Sequence, residues 1–167
     1  MAIQIRDAIE LIIRKSLIGI DLWSPEAEQL LAGTAAQESQ MLTFLKQIEG
    51  PGLGLYQMEP ECHQDIHRNY LVYHPELRQK IFNSCGMVTF LQGASPPDEL
   101  LIYNLKYATC MARLKYYRSN ESLPAYNDIA GQSTYWKNIY NTVSGKGDTA
   151  SYQANYERFV GAYYLKK

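Results

Sequence analysis

The chain has 167 residues, 46% of them apolar and 20% charged, and a net charge of −1. That is enough chain for one domain with its own core, and too little net charge to hold nucleic acid or an anionic membrane by bulk electrostatics. Cys62, Cys85 and Cys110 are odd in number and widely spaced, which argues for reduced thiols rather than a disulfide framework.

Taken in order, the elements read as helices. Residues 5–18 put Ile5, Ala8, Ile9, Ile12 and Ile13 on one face. The N-terminus has no basic segment leading into an apolar run, and Leu17-Ile18-Gly19-Ile20 is too short for a signal core or a membrane span. The expectation is a product made in the cytoplasm without a signal peptide. Ser24 then caps a second helix, with Pro25 at its first position and Glu26 complementing the dipole. Positions 27, 30, 31, 34, 35 and 38 share one face of that helix; the first five are apolar or small and the sixth is Glu38. A carboxyl that ends an inward stripe, beside the negative end of the dipole, should have a raised pKa and suit a general acid. The plainer alternative is an acid that emerges half-exposed at the edge of the core.

Gly50-Pro51-Gly52-Leu53-Gly54 breaks any helix and predicts a loop or small β excursion near residues 48–58. Helices follow over 61–72 and 75–92. After Pro96-Pro97-Asp98 comes a long one over 98–118, carrying Leu101, Asn104, Leu105, Ala108, Met111 and Ala112. A short helix over 132–141 leads into Ser144-Gly145-Lys146-Gly147. Asp148 or Thr149 caps a terminal helix bearing Tyr152, Tyr156, Phe159, Val160 and Tyr163. No composition shift divides the chain, so residues 1–167 read as a single mainly α domain. The 14 tyrosines suit sugar stacking and ordinary helix packing equally.

His63 and His67 have the i, i+4 spacing that lets two imidazoles share a metal on one helix face. Their string lacks the Glu of a zinc-protease helix, and the polar residues after Pro60 predict a solvated face. No metal and no cofactor are expected. Cys85 and Cys110 have no downstream histidine to activate them as nucleophiles.

Glu38-Ser39, then Gly54-Leu55-Tyr56-Gln57 with Gln57 nineteen residues beyond Glu38, then Pro60, resembles the soluble lytic transglycosylase and goose-type lysozyme superfamily. Tyr56 stands where the family usually has Met. Asn104-Leu105 with Ala108 and Met111-Ala112 is similar to the family's Asn-bearing helix. Two strings compete for its Tyr-Asn motif: Tyr140-Asn141 is preferred as the end of a helix before a Gly-rich turn, and Tyr126-Asn127 is the alternative. The resemblance covers residues 25–145. It implies a lysozyme-like (α+β) helical bundle around a substrate groove, acting on the MurNAc–GlcNAc β-1,4 bond of peptidoglycan glycan strands.

In that reading Glu38 is the acid and then the base. Gln57 binds substrate or orients Glu38, or merely satisfies the loop. Tyr56 stacks on a sugar or packs in the core. Ser39 holds the loop, touches an N-acetyl group or caps the helix, and Tyr140 and Asn141 line the groove or simply pack. Glycosidases of the usual kind need a second carboxylate about 5–9 Å from the first. Glu49, Glu59, Glu61 and Asp65 are candidates without a persuasive pattern. The family's transglycosylases instead use the substrate's own N-acetyl and 6-hydroxyl groups, which suits a single prominent Glu. Without an export signal, access to the wall implies a bacteriophage lysis or cell-entry enzyme, acting in the periplasm or within a phage particle alongside other virion proteins. The alternative is a virion structural component with a lysozyme-like scaffold and weak or no activity.

Overall fold

In the computed structural model, which describes residues 3–87, 95–141 and 146–165, the first helix follows the predicted apolar spacing. Helix α1 spans residues 5–19, with α-helical turns at Ile5–Asp7 and Arg14–Gly19 and a π-helical stretch at Ala8–Ile13 between them. Ala8, Ile9, Ile13 and Leu17 bury completely, while Ile5 and Ile12 stay partly exposed. Helix α2 (Pro25–Ser39) starts where its cap predicts: Ser24 Oγ accepts from the Ala27 N–H at 3.1 Å.

Helix α2 is the central helix. Every residue from 27 to 36 is buried, including Glu28, Gln29 and Thr34. The apolar stripe inferred from periodicity is therefore one sector of a helix enclosed on all sides, and Glu38 is partly open because the helix end reaches a groove. The chain leaves α2 through a left-handed turn, Gln40, Met41 and Leu42 having φ of 49°, 55° and 68°. The predicted β excursion consists of two isolated bridges, Lys46 with Leu53 and Leu53 with Met58.

Helix α3 (Pro60–Asn69) is followed by a 3₁₀ turn at Leu71–Tyr73 and by α4 (Pro75–Ser84). α4 ends at Cys85 and at Gly86, whose φ is 65°, short of the predicted 92; residues 88–92 lie outside the described residues. The single helix predicted over 98–118 is two, α5 (Leu100–Tyr103) and α6 (Leu105–Tyr117). Asn104 makes the break. Its Oδ1 accepts from the Tyr107 N–H and its Nδ2 donates to the Cys85 carbonyl, both at 3.1 Å, so a side-chain cap replaces helix continuation.

Helix α7 runs from Ile129–Tyr135 into a π-helical stretch at Trp136–Asn141. It starts before the predicted 132 because Asp128 caps the Gly131 N–H at 2.8 Å. Asp148 caps α8, which comprises Thr149–Tyr156, the π-helical Glu157–Gly161 and Ala162–Tyr164. Of the turn between α7 and α8, Ser144 and Gly145 lie outside the described residues.

The fold is mainly α. α2 packs along α8, where a Cβ on Gly33 would come within 2.1 Å of the Tyr152 hydroxyl. α6 packs against α1, α2, α3 and α4. Tyr56, Tyr107, Tyr116, Tyr152 and Trp136 are among the largest fully buried side chains, so much of the tyrosine excess is core. No helix among the described residues is long and apolar enough to cross a membrane.

The histidine face of α3 is not solvated. His63 and His67 are 0% and 4% exposed, because that face packs on α6. The Tyr107 hydroxyl bridges their Nε2 atoms at 2.5 and 2.7 Å, and Asp98 Oδ1 lies 2.6 Å from His63 Nδ1. Burial lowers the pKa of both imidazoles, that of His67 to about 3 with the neighbouring His63 adding to the effect. They form a neutral hydrogen-bonded brace between α3, α6 and the segment before α5.

Candidate functional site

A groove of about 1290 Å³ opens where the C-terminal end of α2, the loop after it, α3 and α7 converge. Glu38 stands in its wall. Trp136 Nε1–H donates to Glu38 Oε1 at 2.8 Å, the only hydrogen bond to that carboxyl among the described residues. Burial pushes the Glu38 pKa up to about 7; the indole bond and the positive charge of Lys115 offset part of the rise. The fully buried tyrosines Tyr116, Tyr140 and Tyr152 form the surroundings that keep water away, and each has its own phenol held neutral by burial. At neutral pH Glu38 is thus divided between acid and carboxylate, the condition a proton donor and acceptor needs.

Gln57 faces the same groove from the loop, with a φ of 45°. Its Nε2 donates to the Gly54 carbonyl at 2.6 Å, while its buried Oε1 has no hydrogen-bond partner. This acceptor lies unpaired beneath the surface of the groove that Glu38 also lines. The loop can take this path because residue 54 is glycine: its φ is +72°, and a Cβ there would lie 1.7 Å from the Leu101 carbonyl oxygen.

Two residues expected to contact substrate do not face the groove. Tyr56 is 1% exposed; its ring enters the core and its hydroxyl lies 3.3 Å from Thr109 Oγ1. Residues 54–57 form a turn closed by the Gln57 N–H on the Gly54 carbonyl at 3.2 Å, and in that turn Gln57 reaches the groove while Tyr56 points inward. Ser39 is fully buried and ties the loop down: its Oγ donates to the Leu55 carbonyl at 2.7 Å and accepts the Leu42 N–H at 3.0 Å.

Tyr140 and Asn141 do line the groove. Tyr140 donates from its hydroxyl to the Tyr56 carbonyl at 2.9 Å, so two successive loop carbonyls are held by Ser39 and Tyr140. Asn141 accepts from Lys137 at 2.9 Å. Tyr126-Asn127 lies elsewhere: the Asn127 amide group and backbone pair with Gln29 at 2.9 and 2.7 Å, and Tyr126 borders a different pocket.

Glu49, Glu59, Glu61 and Asp65 all line the groove. The groove is therefore richer in carboxylates than the sequence pattern conveyed. Asp65 is committed to Arg118 at 2.8 Å and Asn69 at 2.6 Å, which hold its carboxyl below the usual range. Cys62 also faces the groove, and burial keeps it a thiol. No group of three metal-capable side chains occurs among the described residues.

Trp136 and Lys115 are the functional neighbours that sequence reasoning missed. Trp136 is 98 positions from Glu38, and nothing local marks it. Lys115 lies 4.1 Å above the Tyr140 ring, a position that helix spacing alone does not reveal. Compared with protein-family models, curated proteins and solved structures, the chain has no significant match.

Proposed function

We propose that the protein is a lytic transglycosylase that cleaves the MurNAc–GlcNAc β-1,4 bond of peptidoglycan, serving phage lysis or cell entry at the wall. The observation that carries the reading is the Glu38 carboxyl, held by burial at a pKa of about 7 in a groove large enough for several sugar rings. Its protonated form gives its proton to the glycosidic oxygen as the C–O bond breaks and positive charge grows on the sugar ring. The resulting carboxylate then takes the proton of the muramyl 6-hydroxyl as that oxygen closes on C1. The product is a 1,6-anhydro sugar, and no water is consumed.

Gln57 lines the groove beside the sugar, and Trp136 fixes the Glu38 carboxyl in direction. Ser39, Tyr140 and Gly54 act on substrate only through the loop they shape. Mass spectrometry of muropeptides released from isolated sacculi tests the reaction. Anhydro ends that disappear in Glu38→Gln are the expected result. Reducing ends would make the enzyme a hydrolase, with one of the other groove acids activating water, and unchanged release by Glu38→Gln would remove Glu38 as the acid.

A further inference from the structure

A second concavity, of about 420 Å³, lies at the opposite end of α2. Its size falls within the roughly 300–1,000 Å³ usual for small-ligand pockets. Glu28 in its base precedes Glu38 by ten residues of one helix, about 15 Å at helical rise, and the two cavities share no lining residue. Trp23, Tyr126 and Tyr164 supply the aromatic walls and Pro25 a further apolar edge. The Tyr126 and Tyr164 rings meet edge to face at 77°, with centroids 6.2 Å apart, and so form a corner.

Two independent features mark this as a built site. Trp23 is 44% exposed, yet its indole is pinned: Nε1 donates to Glu28 at 2.8 Å. Glu28 is itself 3% exposed and held by Arg14 through two bonds of 2.6 and 2.8 Å. A part-buried ion pair thus anchors a flat apolar face that is turned to solvent. Moreover, Tyr164 is 7% exposed and its buried hydroxyl finds no hydrogen-bond partner.

Arg14 and Glu28 neutralise one another, and Glu26, which also lines the pocket, leaves one acidic side chain in excess, so the pocket disfavours an anionic ligand and suits an uncharged one. Aromatic walls beside the Glu26 carboxylate, an acceptor for hydroxyl groups, suit a molecule with an apolar C–H face and a polar edge, which describes a pyranose ring. We propose that Trp23, Tyr126 and Tyr164 form an accessory saccharide site that holds a neutral N-acetylhexosamine ring of a glycan strand away from the groove. The choice of sugar rests on the proposed function; the stacking geometry does not.

The two tryptophans of the chain allow a direct test, because each indole N–H reports one site. ¹⁵N-labelled Glu38→Gln protein is titrated with tetra-N-acetylchitotetraose, with the indole resonances assigned from Trp→Phe variants. The Trp23 resonance should shift saturably. Tyr126→Ala should weaken the affinity it reports about five-fold, the size of one lost aromatic contact, and leave the Trp136 resonance with its original response. A Trp23 resonance that stays still, or an affinity unmoved by Tyr126→Ala, overturns the inference. So does a Trp23 shift produced by a proline-rich peptide and not by the saccharide. Clearing of sacculi by the wild-type protein judges the groove separately. Clearing with a silent Trp23 sinks only the accessory site, and a responsive Trp23 without clearing sinks only the lytic reading.

Discussion

Helix α2 carries two carboxylates, Glu28 buried and Glu38 partly open to the groove, and each accepts an indole N–H at 2.8 Å: Glu28 from Trp23 and Glu38 from Trp136. They differ in their cations. Glu28 has the Arg14 guanidinium in two-bond contact, which completes its charge and makes it part of the scaffold. Glu38 has only the more distant field of Lys115, and burial raises its pKa to about 7. Two acids with the same tryptophan contact on one helix are thus given different work by whether a cation accompanies them into the interior.

Removing the acid at the open end should give the largest effect. Glu38→Gln is expected to lower clearing of sacculi by about 10³-fold, within the range for loss of a general acid. The same variant should be more stable. A carboxyl whose pKa is raised in the fold stabilises fully below its unfolded value and loses that contribution as pH rises through about 7. Glu38→Gln should therefore gain about 1–3 kcal/mol in urea denaturation at pH 8 and almost nothing at pH 4. Lost clearing without any gain at pH 8 would mean that the carboxyl is not desolvated.

Breaking the closed end should cost stability first. Arg14→Met leaves the Glu28 charge buried without its cation and is expected to destabilise by about 3–5 kcal/mol. Adding Glu28→Gln should recover part of that loss, and a double-mutant cycle in urea measures the coupling. An additive cycle would show that the pair does not act as a unit.

The histidine brace provides a pH scale away from both acids. The imidazoles of His63 and His67 are held neutral with lowered pKa values, that of His67 near 3. The unfolded chain therefore binds more protons as pH falls below about 6.5; His67 should weaken the fold by up to about 1.4 kcal/mol per pH unit between that value and its folded pKa, and His63 acts in the same direction. His67→Gln should flatten the slope between pH 6 and 4, read from melting temperature against pH. The smallest effect belongs to Lys115→Met. It removes a charge that lowers the Glu38 pKa, so the alkaline limb of the pH–rate profile should move up by about 0.5 unit. A downward move would place Lys115 on the side of proton donation.

Much of the secondary structure was legible in the chain because its signals are short. Ser24-Pro25 opens α2, Asp148 opens α8, and Pro60 and Pro75 start α3 and α4. Asn104 shows the limit of that reading. Its apolar neighbours keep helical spacing through 98–118, yet the side chain caps α6 and bonds to Cys85, a partner 19 residues away. The histidines of α3 were misread for a related reason, since polar identity suggested solvent while Tyr107 and Asp98 supplied partners inside.

For the site, local order in the chain was enough to mark Glu38 at a helix end, Gln57 on a glycine-shaped loop and Tyr140-Asn141 at another helix end, and all of them meet in one groove. Caps, turns and apolar spacing are settled within a few residues, so adjacent letters carry them. The chemistry of Glu38 is settled otherwise. Its proton affinity is a sum over surrounding atoms, and those atoms come from Trp136, Tyr116, Tyr140, Tyr152 and Lys115, which are distant in the chain. The inward turn of Tyr56 and the loop-holding duty of Ser39 follow from packing of the same kind. Desolvation and direction are properties of the assembled fold, and only there does a helix-end glutamate become a neutral-pH acid.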